Sequence, residues 1–401
     1  MRKLLQINVA ANWGSHGRIA EGIGEVALLE GWESYIAYGR YANPSRSNLI
    51  KVGGTFNPYI HGAESLLFDR HGLGSKGATW HLIQEVEYIQ PDVIHLHNIH
   101  GYYLNYPVLF DYLANLDVPV VWTLHDAWPV TGHCAFFDSV HCEKWKSHCS
   151  ACPKLKSYPA SLFLDRSERN FELKRKCFTA LRNLTLVPVS DWLDGVLADS
   201  FLKDVPRVRI HNGIDTSQFQ PSGCEASFCP GKKVVLGVNS VWEPRKGLTD
   251  FLALRERLDD QYEIVLIGLT KKQIACLPEG ITGIRRTDSI QMLAGYYTRA
   301  DVFVNPTYED NFPTTNLEAL ACGTPVITYL TGGSPEAVTP DTGLVVPTGD
   351  LKALVTAVQQ VCQQPFSPDA CRERVVRHFR KDDRFQEYFR LYIDLINRQQ
   401  A

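Results

Sequence analysis

Residues 301–336, DVFVNPTYEDNFPTTNLEALACGTPVITYLTGGSPE, read in turn as strand, loop, helix, strand and loop. The apolar run ends at Pro306, and a polar loop carrying Glu309 and Asp310 follows. A helix is predicted to start near Thr314, to carry Glu318 and to be stopped by Gly323. PVITYL is then too short for a helix and is bounded by turn residues, as a strand is. A strand, helix, strand unit of this kind joins parallel strands. Thr314 or Thr315 is expected to cap the helix, whose first amides and positive dipole end suit a diphosphate. The loop acid and the acid one turn into the helix can face the same ligand. The plainer alternative is that the acids only favour the helix N-terminus and the threonines are simple caps.

The alternation extends outward from this stretch. KLLQINVAA, SYIAYG, DVIHLHN, VPVVWTLHD, LTLVPVS and RVRIHNG are short apolar runs among helical patterns, with a helix from about Arg18 to Leu29 after the first. Residues 214–231, IDTSQFQPSGCEASFCPG, have neither period, and KVVLGVN, YEIVLIG and ITGI then restart the pattern. The expected organisation is two doubly wound α/β domains, 1–213 and 232–368, joined by a linker at 214–231. Val375, Val376, Phe379, Phe385, Phe389, Tyr392 and Ile396 recur at helical spacing, so 369–401 is predicted to be helical and to cross back onto the first domain. Ligands of open parallel sheets gather at the carboxyl ends of strands, so motifs there carry the functional reading.

Composition excludes several classes. With 41 basic against 44 acidic residues and a net charge of -3, a nucleic-acid binder driven by bulk charge is excluded. No window of eighteen apolar residues occurs, and Gln6, Asn8 and Asn12 interrupt the opening MRKLLQINVAANWG, so this stretch reads as a buried strand and membrane contact is expected to be peripheral. Eleven cysteines, an odd number without a secretion signal, point to a reducing, cytoplasmic setting. Neither a repeat nor a low-complexity tract is present.

Three further constellations lie at strand ends. VNSVWEPRKGLTDFL places Arg245 and Lys246 just before Gly247 opens a helix, which suits a pyrophosphate leaving group or is a solvated charged loop. TGGSPEAV puts Gly332 and Gly333 after a strand, where backbone can approach a ligand closely. NWGSHGR has Gly14 and Gly17 bracketing a turn into a helix, with Arg18 as a counter-charge for phosphates; it lacks the dinucleotide fingerprint, and a plain tight turn is the alternative. His125 and Asp126 end VPVVWTLHD, while His95 and His97 share one strand face, as acceptor contacts or as a packed polar cluster.

On these motifs the chain resembles the retaining glycosyltransferases of family 4, which have the GT-B fold of two Rossmann-like domains facing across a cleft. The family hallmark is an acid, seven residues and a glutamate, followed by an Ala-Cys-Gly-Thr-Pro-Val run; Asp310 and Glu318 have that spacing, and ACGTPVI is intact from Ala321 to Ile327. The nearest resemblance is to bacterial enzymes of colanic acid and capsule assembly. It implies that Glu318 binds the donor ribose, that Asp310 contacts the donor sugar, that Lys246 matches the family lysine, that Gly332 and Gly333 form the donor-sugar loop and that His125 stands beside the transferred sugar. Thr314, Thr315 and Asn316 would complete the donor contacts, with Gly17 and Arg18 from the first domain. The chain departs from the pattern at two points. Asp310 stands where glutamate is usual, with Glu309 one position out of register, and the upstream arginine is missing, a role for which Arg245 is the expected substitute.

Cys134, Cys142, Cys149 and Cys152 are spaced seven, six and two residues apart within 127–159. Four thiolates can satisfy a tetrahedral structural zinc; reduced packed cysteines, an iron-sulfur cluster and disulfides are the other readings. The resemblance implies no cofactor for catalysis. The function expected is transfer of a sugar from a UDP- or GDP-linked donor to a hydroxyl of a growing, lipid-linked glycan. A nucleotide-sugar epimerase of the same fold and a catalytically idle nucleotide-sugar binding protein are its rivals.

Overall fold

Leu4, Leu5, Ile7, Ala10 and Ala11 are all but sealed from solvent, so the first strand, β1 (Lys3–Ala11), is buried on both faces as a central parallel strand must be. The computed structural model describes residues 1–223 and 228–400. It divides into two compact units, Met1–His211 with Asp382–Ala401, and Asn212–Lys381.

In the first unit β1 is joined by β2 (Glu33–Ala42), β3 (Asn48–Lys51), β4 (Val93–Leu96), β5 (Val120–Leu124) and β6 (Leu184–Pro188). They form one parallel sheet in the order β3-β2-β1-β4-β5-β6, so the winding direction reverses between β1 and β4. The helix after β1 spans Gly14–Leu29, four residues longer at its start than predicted, so Gly17 lies in its first turn instead of closing the loop before it. Gly22 of this helix is required by packing, because a Cβ there would come within 2.2 Å of the Phe385 ring. Phe385 belongs to the last helix, Lys381–Gln400, whose Phe385, Tyr388, Tyr392 and Ile396 share a core with Ile19, Ile23, Val26 and Trp32.

The second unit holds β7 (Lys233–Val238), β8 (Tyr262–Ile267), β9 (Ile281–Ile284), β10 (Val302–Asn305), β11 (Val326–Tyr329) and β12 (Gly343–Val346). Its parallel order is β12-β11-β10-β7-β8-β9, reversing between β10 and β7. Val235, Leu236, Ile264, Leu266, Val302 and Ile327 fill its centre.

Two expectations change. The predicted helical tail is broken at Phe379 and Arg380 into Pro368–His378 and Lys381–Gln400. Only the second helix braces the first unit; the first stays on the second unit, where Arg372 donates to the carbonyl of Ala321 at 2.7 Å and closes the helix that ends there. The start of the predicted linker is likewise structured: Ile214 exchanges backbone hydrogen bonds with Phe379 and Lys381 at 2.8 and 2.9 Å, and Phe219 is buried. Residues 224–227 of that linker lie outside the described residues. No helix among the described residues is long and apolar enough to cross a membrane.

Candidate active site

The loops after β7 and β10 flank the point where the second sheet reverses direction, the place where doubly wound sheets bind ligands. Glycine brings them together. Gly247 has φ +71°, and a Cβ on it would stand 2.2 Å from the Pro306 carbonyl oxygen, so no other residue fits there. The loops are then laced by hydrogen bonds. Tyr308 N–H donates to the Arg245 carbonyl at 2.8 Å, and Arg245 Nη1 donates to the Glu309 carbonyl at 2.9 Å. At the rim Lys246 Nζ donates to Asp310 Oδ2 at 2.5 Å, with side chains only 14% and 18% exposed. Burial lowers the Lys246 pKa, and the Asp310 charge opposes that shift. The sequence left Glu309 and Asp310 as rivals; the structure turns Asp310 to Lys246 and buries Glu309 to 2% exposure.

The next helix spans Thr314–Ala321 and has Pro313 at its cap, so neither Thr314 nor Thr315 caps it, contrary to expectation. Pro313 is held extended at φ -69° and ψ 117°, and both threonines become first-turn residues. Asn316, predicted to meet the donor, is fully buried instead. Its side chain accepts from Asn305 Nδ2 at 2.8 Å and donates to the Ser334 carbonyl at 3.0 Å, tying the helix to the loop after β11. Glu318 is half-buried and accepts from Tyr297 OH at 2.9 Å. Burial and then the Glu318 charge push the Tyr297 phenol well above its usual range, which keeps it a donor. Gly332 has φ +51°, and a Cβ there would lie 1.9 Å from the Asp310 carbonyl oxygen, to which Gly333 N–H donates at 3.2 Å. Gly332 therefore permits a close approach of protein to protein, which positions the Asp310 loop.

In the first unit a polar chain runs from β1 to β5. Gln6 Nε2 donates to the Ala20 carbonyl at 2.7 Å, which leaves Gln6 Oε1 facing His97 Nε2 at 3.0 Å. His97 Nε2 is therefore the donor and its Nδ1 the acceptor, so His125 Nε2, 3.2 Å from that Nδ1, must carry a proton. His125 is thus fixed as one tautomer, with Nδ1 as its acceptor atom. His95 faces the other way, between Tyr392 OH at 2.6 Å and Thr123 Oγ1 at 2.8 Å, and is a core residue. Asp126 receives His100 Nε2 at 2.8 Å and the Trp128 N–H at 2.9 Å. Although burial would raise its pKa, His100 draws it below the ordinary carboxylate value. Arg18 is exposed on the first helix. Gln6 was missed as a site residue, and the signal was its place as a polar residue inside an otherwise apolar strand.

Burial lowers the pKa of His16, His61, His71, His95, His97 and His125, bringing His16 and His61 to about 4 from 6.5. The folded chain then binds fewer protons than the unfolded one below pH 6.5, so this stability is present above 6.5 and is lost as pH falls toward about 4. Thermal unfolding should show a Tm several degrees lower at pH 5 than at pH 7.5. A Tm that stays level across that window would mean that these imidazoles charge inside the fold.

Comparison with known proteins agrees with this architecture. Sucrose-phosphate synthase from Thermosynechococcus elongatus superposes with a TM-score of 0.74 at 19% identity, covering 99% of this chain and 100% of that one. Anabaena HepE in complex with UDP-glucose superposes with a TM-score of 0.64 at 12% identity, covering 98% and 100%. Two doubly wound units of this kind define the GT-B class. A model described as glycosyl transferases group 1 matches residues 232–364, and one for glycosyltransferase family 4 matches residues 29–218. Over both units, then, the chain is a glycosyltransferase. It is 27% identical over 372 residues to the putative colanic acid biosynthesis glycosyl transferase WcaC of Escherichia coli, covering 88% of this chain and 89% of the relative. It is also 29% identical over 180 residues to a GDP-mannose-dependent alpha-mannosyltransferase of Mycobacterium tuberculosis, covering 43% and 46%.

Proposed function

We propose that this enzyme transfers a hexose from a UDP- or GDP-linked donor, with retention at the anomeric carbon, to a hydroxyl of a growing, lipid-linked bacterial glycan. The observation that carries this reading is the Lys246–Asp310 pair at the reversal of the second sheet, beside Arg245 and the Thr314 helix start. Without donor, Asp310 is the counter-ion of Lys246. A donor diphosphate takes over that role and turns Asp310 toward the sugar. Lys246, Arg245 and the first-turn amides of Thr314 and Thr315 then stabilise charge on the departing phosphate, in a reading that needs no resident metal. A carboxylate at Asp310 supports positive charge as the glycosidic bond opens. Glu318, oriented by Tyr297, takes the ribose hydroxyls.

In this reading the first unit binds the acceptor, and its His125 is held in one tautomer by His97. Relatives and neighbours that act on GDP-mannose or hold UDP-glucose support a nucleotide-sugar donor. Likeness to a colanic acid biosynthesis enzyme supports a place in polysaccharide assembly. Neither the epimerase nor the idle binding protein is favoured by any observation.

Calorimetry with UDP and GDP tests the donor assignment. Glu318→Ala removes a charge-assisted hydrogen bond of about 1.5 to 3 kcal/mol, so nucleotide affinity should fall on the order of 10- to 150-fold with the fold intact. Unchanged affinity for whichever nucleotide binds the unaltered protein would contradict it.

A further inference from the structure

Residues 131–166 run through the first unit with no strand and only two short 3-10 turns, Asp138–Val140 and Lys144–Lys146. Segments longer than about 12 to 15 residues without secondary structure are uncommon in compact domains, and something must hold them. Here Cys134, Cys142, Cys149 and Cys152 all line one small cavity, together with His133 and Lys144, and none is in a disulfide.

The backbone is bent around this cavity. Ala151, inside the Cys149–Cys152 knuckle, has φ +44°, and His141, just before Cys142, has φ +47°. Non-glycine residues hold that conformation only when their surroundings impose it. Lys144 Nζ donates to the carbonyls of Ser150 and Ala151 at 2.8 and 3.1 Å, which clamps the knuckle and sets a cation beside the sulfurs.

His133 gives an independent pointer to a ligand. It is 2% exposed, its Nδ1 is held by Asp69 Oδ1 at 2.6 Å, and its Nε2 is buried with no hydrogen-bond partner among the described residues. A carboxylate that orients an imidazole by one nitrogen, leaving the other as a bare acceptor, is the arrangement that surrounds metal-ligating histidines. Soft thiolates with an imidazole select zinc among the common divalent ions.

We propose that this cavity closes on a structural zinc ion, which would draw together four donors from the thiolates of Cys134, Cys142, Cys149 and Cys152 and the imidazole of His133. The ion would staple a segment that delivers Tyr158, whose OH lies 3.1 Å from His100 Nδ1, to the His100–Asp126 pair.

The test is metal analysis of the full chain purified under reducing conditions without added metal. About one equivalent of zinc is expected, released by a chelator together with the appearance of at least three newly reactive thiols. The double variant Cys134→Ser/Cys149→Ser leaves three of the five donors and should hold less than about a tenth of an equivalent. Cys276→Ser, on the exposed surface of the other unit, should retain it all. The chelator measurement on the unaltered protein decides the matter if the double variant fails to fold. Metal-free protein with the four thiols freely reactive, iron in place of zinc, a disulfide among the four, or zinc retained by the double variant would each overturn the proposal.

Discussion

Lys246→Ala is expected to lower kcat by about two to three orders of magnitude while donor KM changes much less. The timing of the charge decides this. In the ground state the donor diphosphate is already dispersed over several oxygens and can be held by first-turn amides near Thr314. As the glycosidic bond opens, charge gathers on the departing oxygen, and a cation placed there acts mainly in the transition state. Lys246 is the cation held at the loop junction, buried to 14% exposure and already paired with an acid. Arg245→Ala should cost less in kcat and more in KM, because Arg245 also holds the Glu309 carbonyl at 2.9 Å and so shapes the loop. A Lys246→Ala enzyme that keeps its kcat and loses only donor affinity would remove this residue from the chemistry.

Asp310→Asn should reduce transfer at least about a hundredfold, with Glu309→Gln clearly milder. Asp310 faces Lys246 across 2.5 Å, whereas Glu309 is buried to 2% exposure. Removing the charge on Asp310 has two consequences. The opening sugar loses its carboxylate, and Lys246 loses the counter-ion that holds it in place, a loss that costs more in a buried site than at the surface. Nucleotide binding by Asp310→Asn, measured beside its activity, separates the two: retained binding with lost turnover assigns the acid to the sugar. The reverse ranking of the two variants would identify Glu309 as the working acid.

Much of this was legible in the sequence because the informative residues are local. The spacing of Asp310, Glu318 and the ACGTPVI run lies within one strand-loop-helix unit, so period and turn chemistry sufficed to place it. What the sequence did not carry was the direction of side chains set by distant partners. Asn316 sits one helical position from useful neighbours, yet Asn305 and Ser334 draw it inward from two other segments. Gly332 was read as leaving room for a ligand, and its nearest atom is the Asp310 carbonyl oxygen. The break at Phe379 and Arg380 was equally hidden: the apolar spacing runs on through it, and only pairing with Ile214 ends the helix there. Gln6 shows the reverse case, a polar residue in an apolar strand whose partner, His97, is ninety-one positions away.

The account stands most directly on the product. Incubation of the purified enzyme with a panel of UDP- and GDP-linked hexoses and lipid-linked glycan acceptors, followed by proton NMR of the new linkage, reads donor use and anomeric outcome together. Turnover with one nucleotide class is expected, with a product of the donor's own anomeric configuration that is lost in Lys246→Ala and Asp310→Asn. An inverted linkage, or release of free sugar with no acceptor modified by any donor, would contradict it.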